Sequence, residues 1–361
     1  MPYLIFTRLF AIAIGFISAT VQAQTMETIT VIGSRTERPL KEIAATIDVI
    51  DAARIEEELA RDIADLVRFE PGVTVSGTGS RYGLSGFNIR GIGGNRVLTI
   101  VDGIRIADEF SFGPFLSSRR DFVDIDSLAT AEIARGPISS LWGSDALGGV
   151  VSFNTLSPKG LLGDKTFYSG YKLGYSSADN STVGTVTIAG KSGPLATMFL
   201  ATLRNGEETE NSAKAGSDFG LDRTDPDEQD IKSKNVTAKL DWSLSEEQNL
   251  ILTVDSYKNE TDTKIFSDYG TFVYGSLINS REAMDQRDRS RVALRYELHE
   301  PKWFIDNAVV NVYRQTSESE QKMAESNSPP PYLFNQSRTR DSIFKQKIVG
   351  ANAQLTSVVL T

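Results

Sequence analysis

The chain has 361 residues, no cysteine and a formal net charge of −9, from 38 Lys and Arg against 47 Asp and Glu. The lack of cysteine excludes a disulfide framework and a thiolate metal site. The acidic balance argues against a nucleic-acid partner and fits an exported, solvated protein.

The N-terminal residues 1–23 have the pattern of a signal peptide. Arg8 precedes an apolar run over residues 9–17, and Val21-Gln22-Ala23 offers a small-residue cleavage site. The run is too short to cross a bilayer as a helix. The pattern therefore predicts a cleaved signal and export from the cytoplasm.

The next segment, 24–38, contains a short alternating stretch ahead of Pro39. Its residues are Glu27, Thr28, Ile29, Thr30 and Val31. One interpretation is a frayed terminus, which is common in such segments. The other is a strand that a partner protein can pair with by β-augmentation.

Residues 51–69 are predicted to form a helix. Asp51 suits the N-cap position, and Pro71-Gly72 ends the stretch. Apolar residues recur at spacings of four and three on one face, namely Ile55, Leu59, Ile63, Leu66 and Val67. The acidic residues between them are interpreted as a solvated face.

The region around this helix, residues 39–158, is predicted to be a compact α+β domain. Over 72–155, short runs rich in Val and Ile are separated by glycines and other turn residues, which is typical of strands. Asp102-Gly103 lies between two such runs and predicts a type I′ hairpin turn, because that turn needs positive φ at both central residues.

Residues 159–361 show a period of two in segment after segment. In one of them Val236, Ala238 and Leu240 alternate with Thr237 and Lys239. Apolar groups on one face and polar groups on the other indicate membrane strands with a lipid-facing outside and a polar lumen. The segments lie near 166–176, 181–191, 194–205, 231–243, 248–258, 288–299, 302–314 and 342–356.

The connections between these strands alternate between short turns and long polar runs. The long runs are 206–230, 259–287 and 315–341. Outer-membrane barrels have short periplasmic turns and long extracellular loops in this order. A barrel of about eight strands cannot enclose a domain, whereas one of about 22 strands has a plugged lumen. We therefore predict a β-rich membrane protein, with an α+β plug domain inside a large antiparallel transmembrane β-barrel of which the first eight or so strands are present.

Four motifs in the compact domain carry a resemblance to a known family. They are Asn88-Ile89-Arg90-Gly91, Val101-Asp102-Gly103, Ile133-Ala134-Arg135-Gly136-Pro137 and Trp142-Gly143-Ser144 through Val151. Together with the segment 27–31 they resemble, in the same order, the TonB-dependent outer-membrane receptors.

The resemblance implies that residues 27–31 are the TonB box, which pairs with TonB, itself energised by ExbB and ExbD. It also implies that Arg90 and Arg135 lock the plug against the barrel wall. The alternative is that both arginines pair with carboxylates inside the plug.

Residues 81–91, 107–115 and 119–126 resemble the haem and haemoglobin receptor branch of this family. That branch often binds haem through histidine, but the only histidine here is His299, beside the short turn Glu300-Pro301. His299 is therefore interpreted as structural. Tyrosine can ligate haem iron, so Tyr82 is a candidate, and Arg81, Tyr82, Phe110 and Phe112 are the predicted ligand-binding residues. Phe87 and Phe115 are expected in the plug core.

The resemblance thus implies a receptor that imports haem, or haem taken from haemoglobin, and the residues themselves predict no intrinsic cofactor, metal site or catalytic group. Its expected partners are TonB, haem or a haem-carrying protein, and outer-membrane lipid. A ferric-siderophore receptor of the same family remains an alternative. So does a passive pore or adhesin, although a TonB box argues against it.

Overall fold

The structure, a computed structural model, describes residues 29–30, 38–39, 46–77, 81, 84, 86–112, 116–118, 123–212, 216–273, 275–299, 305–328 and 336–357. The predicted signal peptide, Tyr82 and Phe115 lie outside these residues. The described chain forms a mixed α+β plug, followed by a large antiparallel sheet.

The strands of the plug region are short. In chain order they are β1 Ile29–Thr30, β2 Arg38–Pro39, β3 Thr46–Asp51, β4 Val73–Ser76, β5 Gly86–Ile89, β6 Val97–Val101, β7 Ile104–Arg105, β8 Phe110–Ser111, β9 Ser117–Ser118, β10 Leu128–Arg135 and β11 Gly149–Thr155. The helices are α1 Ala52–Glu57, α2 Ile63–Leu66, α3 Ser139–Trp142 and α4 Pro158–Leu162, with 3-10 turns at Gly94–Arg96 and Ile125–Ser127.

Five of these strands form the central sheet of the plug, in the order β3-β10-β11-β6-β7. The β11–β6 pair is parallel and the other pairs are antiparallel. Both faces of the sheet are covered, so β6 is buried along its whole length. The main core packs Ile50, Leu66, Ile89, Ile133 and Phe153, all fully or almost fully buried, together with Phe87 as expected from the sequence.

The turn between β6 and β7 has the predicted conformation. Asp102 has φ +50° and Gly103 has φ +76°, as a type I′ turn requires. Asp102 is thus a non-glycine residue held in the left-handed region, which aspartate tolerates better than most side chains. The turn places its carboxylate at the surface of the plug.

The single helix predicted over 51–69 is wrong, because the structure has two short helices there. Asp51 caps α1 by accepting from Arg54 N at 2.8 Å, as predicted. The chain then turns at Leu59, which has φ +50° and a relative exposure of 79%. Asp62 caps α2 in turn. The apolar spacing indicated the buried residues Ile55 and Ile63 correctly, but could not show that Leu59 leaves the helix.

The large sheet contains the strands β12 Phe167–Ser176, β13 Ser181–Ser192, β14 Leu195–Glu207, β15 Glu228–Ser243, β16 Gln248–Lys264, β17 Phe272–Val273, β18 Ser276–Leu298, β19 Asn307–Ser328 and β20 Gln336–Thr356. The long strands pair antiparallel in chain order, and the short β17 pairs with β18. This is the meander predicted from the alternating pattern.

The two faces of this sheet differ as the sequence predicts. On β15, Thr237, Lys239 and Asp241 are buried, whereas Val236 and Trp242 are exposed. Other exposed apolar side chains share the outer face: Tyr171, Leu173, Val186, Phe199, Val254, Val292 and Leu294. An apolar surface of this extent is normally buried against a partner, and the outer face of a membrane β-sheet is buried in lipid.

The predicted long loops are partly wrong, because the strands extend into them. Residues 259–264 and 276–287 belong to β16 and β18, and 315–328 and 336–341 belong to β19 and β20. The backbone ladder continues beyond the apolar band, where both faces of the sheet are polar. The strands continue there to pair through backbone hydrogen bonds, but their residues no longer alternate between apolar and polar. The sequence pattern therefore underestimates the lengths of the strands.

No helix in the described part of the chain is both long and apolar enough to span a membrane.

Candidate functional site: the plug face and its contacts with the sheet

The plug contacts the polar face of the large sheet through the β6–β7 turn. Arg291 Nη2 on β18 donates to Asp102 Oδ2 at 2.9 Å, and Arg291 Nη1 donates to Val101 O at 2.6 Å. Lys239 Nζ on β15 lies 3.6 Å from the same carboxylate. Thr155 of β11 completes the arrangement by donating its N–H and hydroxyl to Asp102. We call Asp102, Lys239 and Arg291 the plug clamp.

The electrostatics of the plug clamp favour an ionised carboxylate. Burial alone would raise the pKa of Asp102, but Lys239 and Arg291 outweigh it and hold that pKa well below its usual range. Behind the clamp, Asp255 on β16 accepts from Arg291 Nε at 2.5 Å and from Arg289 Nη2 at 2.6 Å. Arg291 is therefore shared between the plug and the neighbouring strand, with its side chain only 1% exposed.

A second contact is made by the 3-10 turn Ile125–Ser127 and the residue before it. Asp126 accepts from Lys172 Nζ at 2.5 Å and from Arg204 Nη2 at 3.0 Å. Asp124 accepts from Asn235 Nδ2 at 3.1 Å. Burial, together with the nearby charge of Asp126, raises the pKa of Asp124 to about 6. Two plug carboxylates thus face a group of basic and amide side chains on β12, β14 and β15.

The third contact is at the loop end of the sheet, where Arg81 meets β18. Arg81 Nε and Nη2 donate to the two oxygens of Asp285 at 2.9 and 2.8 Å. This bidentate pair is the geometry that a guanidinium and a carboxylate prefer. Two guanidinium nitrogens of Arg81 are therefore engaged by the sheet. Arg81 was predicted to bind the ligand, and that role stays a prediction.

The loop between β7 and β9 supplies the aromatic residues predicted to meet a ligand. Phe110 stacks on Phe344 of β20, with ring centroids 4.7 Å apart and planes 7° apart. Phe110 and Phe112 remain 41% and 63% exposed. The loop is held in place because Gln321 accepts from Ser117 N at 2.9 Å and donates to Ser117 O at 3.1 Å.

A large cavity of about 1230 Å³ opens at the loop end of the sheet. Its lining combines acidic residues, such as Glu207, Asp230 and Glu282, with basic ones. Met323 and Arg340 line it too, and the sulfur of Met323 lies 3.9 Å from Arg81 Nη1. The cavity therefore adjoins the end of the plug that carries Arg81.

The two predicted locking arginines are found in different surroundings. Arg135 is buried and pairs with Glu70 at 2.9 Å and with Asp48, both inside the plug. Arg90 is exposed, has φ +50° and makes no ion pair with a residue that the structure describes. Arg135 thus has the intra-plug pairs that the sequence left as the alternative. Locking against a barrel wall stays a prediction for both residues.

Of the segment 27–31, the structure describes Ile29–Thr30, which pairs antiparallel with Arg38–Pro39. Glu27, Thr28 and Val31 lie outside the described residues. His299 follows β18 and lies 3.5 Å from Glu297, with half of its side chain exposed. Among the described residues, no group of three or more His, Cys, Asp or Glu is arranged to hold a metal ion.

Sequence reasoning missed the partners of the plug on the sheet, namely Lys239, Asp285, Arg291 and Phe344. A signal was present, because Arg289 and Arg291 occupy inward positions of an otherwise regular strand. Buried charges are rarely left unpaired, so inward arginines indicate carboxylates opposite them. Which plug carboxylate faces which strand depends on the docking of the two parts, which periodicity does not contain.

Comparison with known proteins gives a match to one protein-family model, described as the TonB-dependent Receptor Plug Domain, over residues 39–150. That range contains four of the five strands of the plug sheet and the start of β11, together with almost all of the plug residues that contact the large sheet.

Several curated relatives are similar over most of this chain. A protein of Haemophilus influenzae, described as a probable hemoglobin and hemoglobin-haptoglobin-binding protein, is 32% identical over 311 residues. The match covers 81% of this chain and 31% of that relative. A hemoglobin and hemoglobin-haptoglobin-binding protein of Haemophilus ducreyi is 32% identical over 71% of this chain and 28% of its own length. The chain thus spans less than a third of the relatives it matches.

Solved structures show the same fold at lower identity. The FrpB iron transporter of Neisseria meningitidis superposes with a TM-score of 0.61 at 16% identity, over 86% of this chain and 49% of the other. The hemophore receptor HasR of Serratia marcescens gives a TM-score of 0.52 at 15% identity, over 87% of this chain and 61% of HasR.

Proposed function

We propose that this chain, which belongs to the family of TonB-dependent receptors, serves as an outer-membrane receptor that imports haem, free or taken from haemoglobin. TonB, energised by ExbB and ExbD, supplies the energy for transport. In this proposal residues 1–23 are the signal peptide, 24–38 the TonB box and linker, 39–158 the plug and 159–361 barrel strands.

The observation that carries the proposal is a group of aromatic residues on the plug that meets β20, a strand that also lines the cavity. Phe110 and Phe112 are partly exposed there, and Phe344 of β20 stacks on Phe110. Four residues before Phe344, Arg340 lines the cavity. A planar apolar macrocycle gains from stacking on such rings, each pair being worth about 0.5–1.5 kcal/mol beyond area burial. In this proposal Arg340 binds the carboxylates at the edge of haem.

The relatives support a haem source rather than a siderophore. The curated proteins of Haemophilus that match this chain are described as binding haemoglobin and haemoglobin–haptoglobin. We infer that this chain shares their ligand class.

The plug clamp supports transport over a passive pore. Plug and sheet are joined by buried ion pairs at Asp102 and by the bidentate pair of Arg81 and Asp285. A plug held in this way must be moved to open a path, and pulling on an N-terminal strand by β-augmentation is a way to move it.

The test is ligand binding by the receptor in detergent, with haem, haemoglobin and a ferric siderophore as separate probes. Saturable binding of haem and haemoglobin, with none of the siderophore, is the expected result. Tight binding of the siderophore without binding of haem would overturn the haem assignment and leave the family unaffected.

A further inference from the structure

One row of residues crosses β16, β18, β19 and β20 on the polar face of the large sheet, opposite the plug. In the strand register this row consists of Tyr257, Arg289, Ser317 and Gln346. We call these four residues the inner row. Its two middle members are almost fully buried, because Arg289 is 5% exposed and Ser317 is 3% exposed.

The plug contacts the inner row at both of its ends. At one end, Ala107 of the plug packs against Tyr257 in a small buried cluster. At the other end, Gln346 Oε1 accepts from Asp108 N at 2.9 Å, and Gln346 Nε2 donates to Asp108 Oδ2 at 3.2 Å. Ala107 and Asp108 are consecutive, so one short plug segment spans the row. The two middle members of the row are therefore covered by the plug.

The middle of the inner row holds buried polar atoms without partners. Arg289 donates from Nη2 to Asp255 Oδ1 at 2.6 Å. Its Nε and Nη1, and the hydroxyl oxygen of Ser317, have no hydrogen-bond partner among the residues that the structure describes. Buried N–H groups are nearly always paired, since an unpaired one is costly and a charged one more so. The arrangement therefore points to a partner that the described parts of the plug and the sheet do not supply.

The charges around Arg289 indicate the sign of that partner. The ion-pair network that contains Arg289 includes two further cations, Lys239 and Arg291, and two carboxylates, Asp102 and Asp255. Both carboxylates already pair with Arg291, so the network has three cations against two carboxylates. A water molecule accepts hydrogen bonds but leaves the extra positive charge unbalanced. An anionic oxygen accepts the same hydrogen bonds, makes them stronger, and balances the charge.

Arg289 lies between the cavity and the plug clamp on the inward face of β18. Ala283 lines the cavity, and Asp285, Arg287, Arg289 and Arg291 follow it at alternate positions of the strand. At about 3.3 Å per residue, Arg289 is about 20 Å from Ala283 and about 7 Å from Arg291. A group that leaves the cavity along this strand therefore passes Arg289 before it reaches the plug clamp.

We infer that Arg289 and Ser317 form a carboxylate-binding site for the cargo in transit, covered by the plug at rest and uncovered when the plug moves. The guanidinium and the hydroxyl then donate to a carboxylate that has left the cavity. The inference rests on the proposed function, because haem is a cargo that carries carboxylates at one edge. It adds a contact made during passage and leaves the binding of haem at rest to the plug end.

The experiment compares haem uptake with haem binding in cells that make each receptor variant at equal abundance. Arg289→Met removes the charge and keeps much of the side-chain bulk, while Asp255 retains Arg291 Nε as a donor at 2.5 Å. We expect the maximal rate of uptake to fall by about tenfold or more, the loss expected for a hydrogen bond to a charged group. The dissociation constant for haem should stay unchanged. Arg289→Lys keeps a positive charge and should keep most of the uptake.

The temperature at which the folded receptor is lost in detergent separates this role from a structural one. A buried cation with unpaired donors is costly at rest, so Arg289→Met should leave that temperature unchanged or raise it. A residue that only holds the plug in place would give a lower temperature together with slower uptake. Arg314→Met is the matched control, since Arg314 is exposed on the opposite face of β19. It should change neither the uptake nor the temperature.

Uptake at the wild-type rate in Arg289→Met would overturn the inference while leaving haem import standing. Equal loss of uptake in Arg289→Lys and Arg289→Met would overturn it as well, because the role would not depend on charge. A wild-type receptor that takes up no haem would overturn the proposed function itself.

A resident inorganic anion at Arg289 makes a different prediction, which chloride tests. Replacing chloride with the bulky anion gluconate at constant ionic strength would then lower the unfolding temperature of the wild-type receptor and not that of Arg289→Met. We expect no such dependence, because the plug covers the site at rest. A chloride dependence that Arg289→Met abolishes would assign the site to a bound ion and overturn its role toward the cargo.

Discussion

Arg291 of β18 holds the plug and the sheet together through one guanidinium. Its Nη2 donates to Asp102 Oδ2 at 2.9 Å, while its Nε donates to Asp255 Oδ2 at 2.5 Å. Asp102 belongs to a plug turn and Asp255 to the adjacent strand of the sheet. The plug is therefore joined to the large sheet by one buried cation of the sheet, Arg291, which pairs with a plug carboxylate and with a carboxylate of the adjacent strand.

Replacing Arg291 with alanine should loosen the plug. The change removes one buried cation from both Asp102 and Asp255, and removal of one partner from a buried pair typically costs about 3–5 kcal/mol. The temperature at which the folded, heat-modifiable species is lost in detergent is expected to fall. Arg295→Ala on the same strand is the control, because Arg295 is partly exposed and pairs with Glu297 at 2.5 Å; a partly exposed pair contributes about 0–1 kcal/mol.

The charge of Asp102 can be separated from its role in the turn. Asparagine accepts positive φ, so Asp102→Asn should keep the β6–β7 turn and remove the attraction to Lys239 and Arg291. A double-mutant cycle with Lys239→Met measures the coupling, which we expect to be at least about 0.5 kcal/mol for groups in one network. Additive effects in that cycle would exclude Lys239 from the plug clamp.

Asp124 should make docking of the plug depend on pH. Burial raises its pKa to about 6 when the plug is docked, above the ordinary value of 3.8 for an aspartate. The docked state then binds the proton more tightly, so docking strengthens as pH falls from above 6 towards 4 and weakens as pH rises through 6. Hydrogen exchange of the amides near 123–130 should be slowest at the acid end after correction for the intrinsic rate. Asp124→Asn should remove this dependence, whereas an unchanged pH profile in that variant would assign the dependence to another group.

The aromatic pair at the plug end should matter for haem. Phe110→Ala and Phe344→Ala each remove one ring of the stack, which is worth about 0.5–1.5 kcal/mol and so about 2- to 12-fold in affinity. Titration of haem absorbance gives the dissociation constants. Phe167→Ala is a control on the outer face, where Phe167 is 61% exposed. Equal haem affinity in all three variants would remove Phe110 and Phe344 from the ligand site.

The sequence predicted the kinds of element better than their ends or their mutual contacts. Period-two alternation over Val236 to Trp242 was sufficient to identify a strand and its two faces, because lipid and lumen impose opposite polarity. It failed beyond the apolar band, as in 315–328, where a hydrogen-bonded ladder needs no apolar residues. The break at Leu59 depends on one positive φ that the helical spacing of Ile55 and Ile63 does not reveal.

For the candidate site, the sequence indicated which side chains could meet a ligand but not which residues of the sheet they contact. Phe110 and Phe112 were predicted as ligand contacts because their loop lies between candidate strands and its aromatic rings suit a planar ligand. Both are partly exposed, and their contact with a ligand stays a prediction. Arg81 was assigned to a ligand, whereas its guanidinium pairs with Asp285 on a strand about 200 residues away in sequence. Long-range pairing of charges depends on three-dimensional docking, and no local pattern records it.

We propose that this receptor moves haem by coupling to TonB through residues 27–31. The most direct test is the uptake of haem from haemoglobin by iron-starved cells that make the receptor with residues 27–31 deleted, alongside ligand binding to the same cells. We expect normal binding and no uptake, since the strand offered to TonB is gone while the plug end and the loops remain. Uptake at the wild-type rate, at equal receptor abundance, would contradict it.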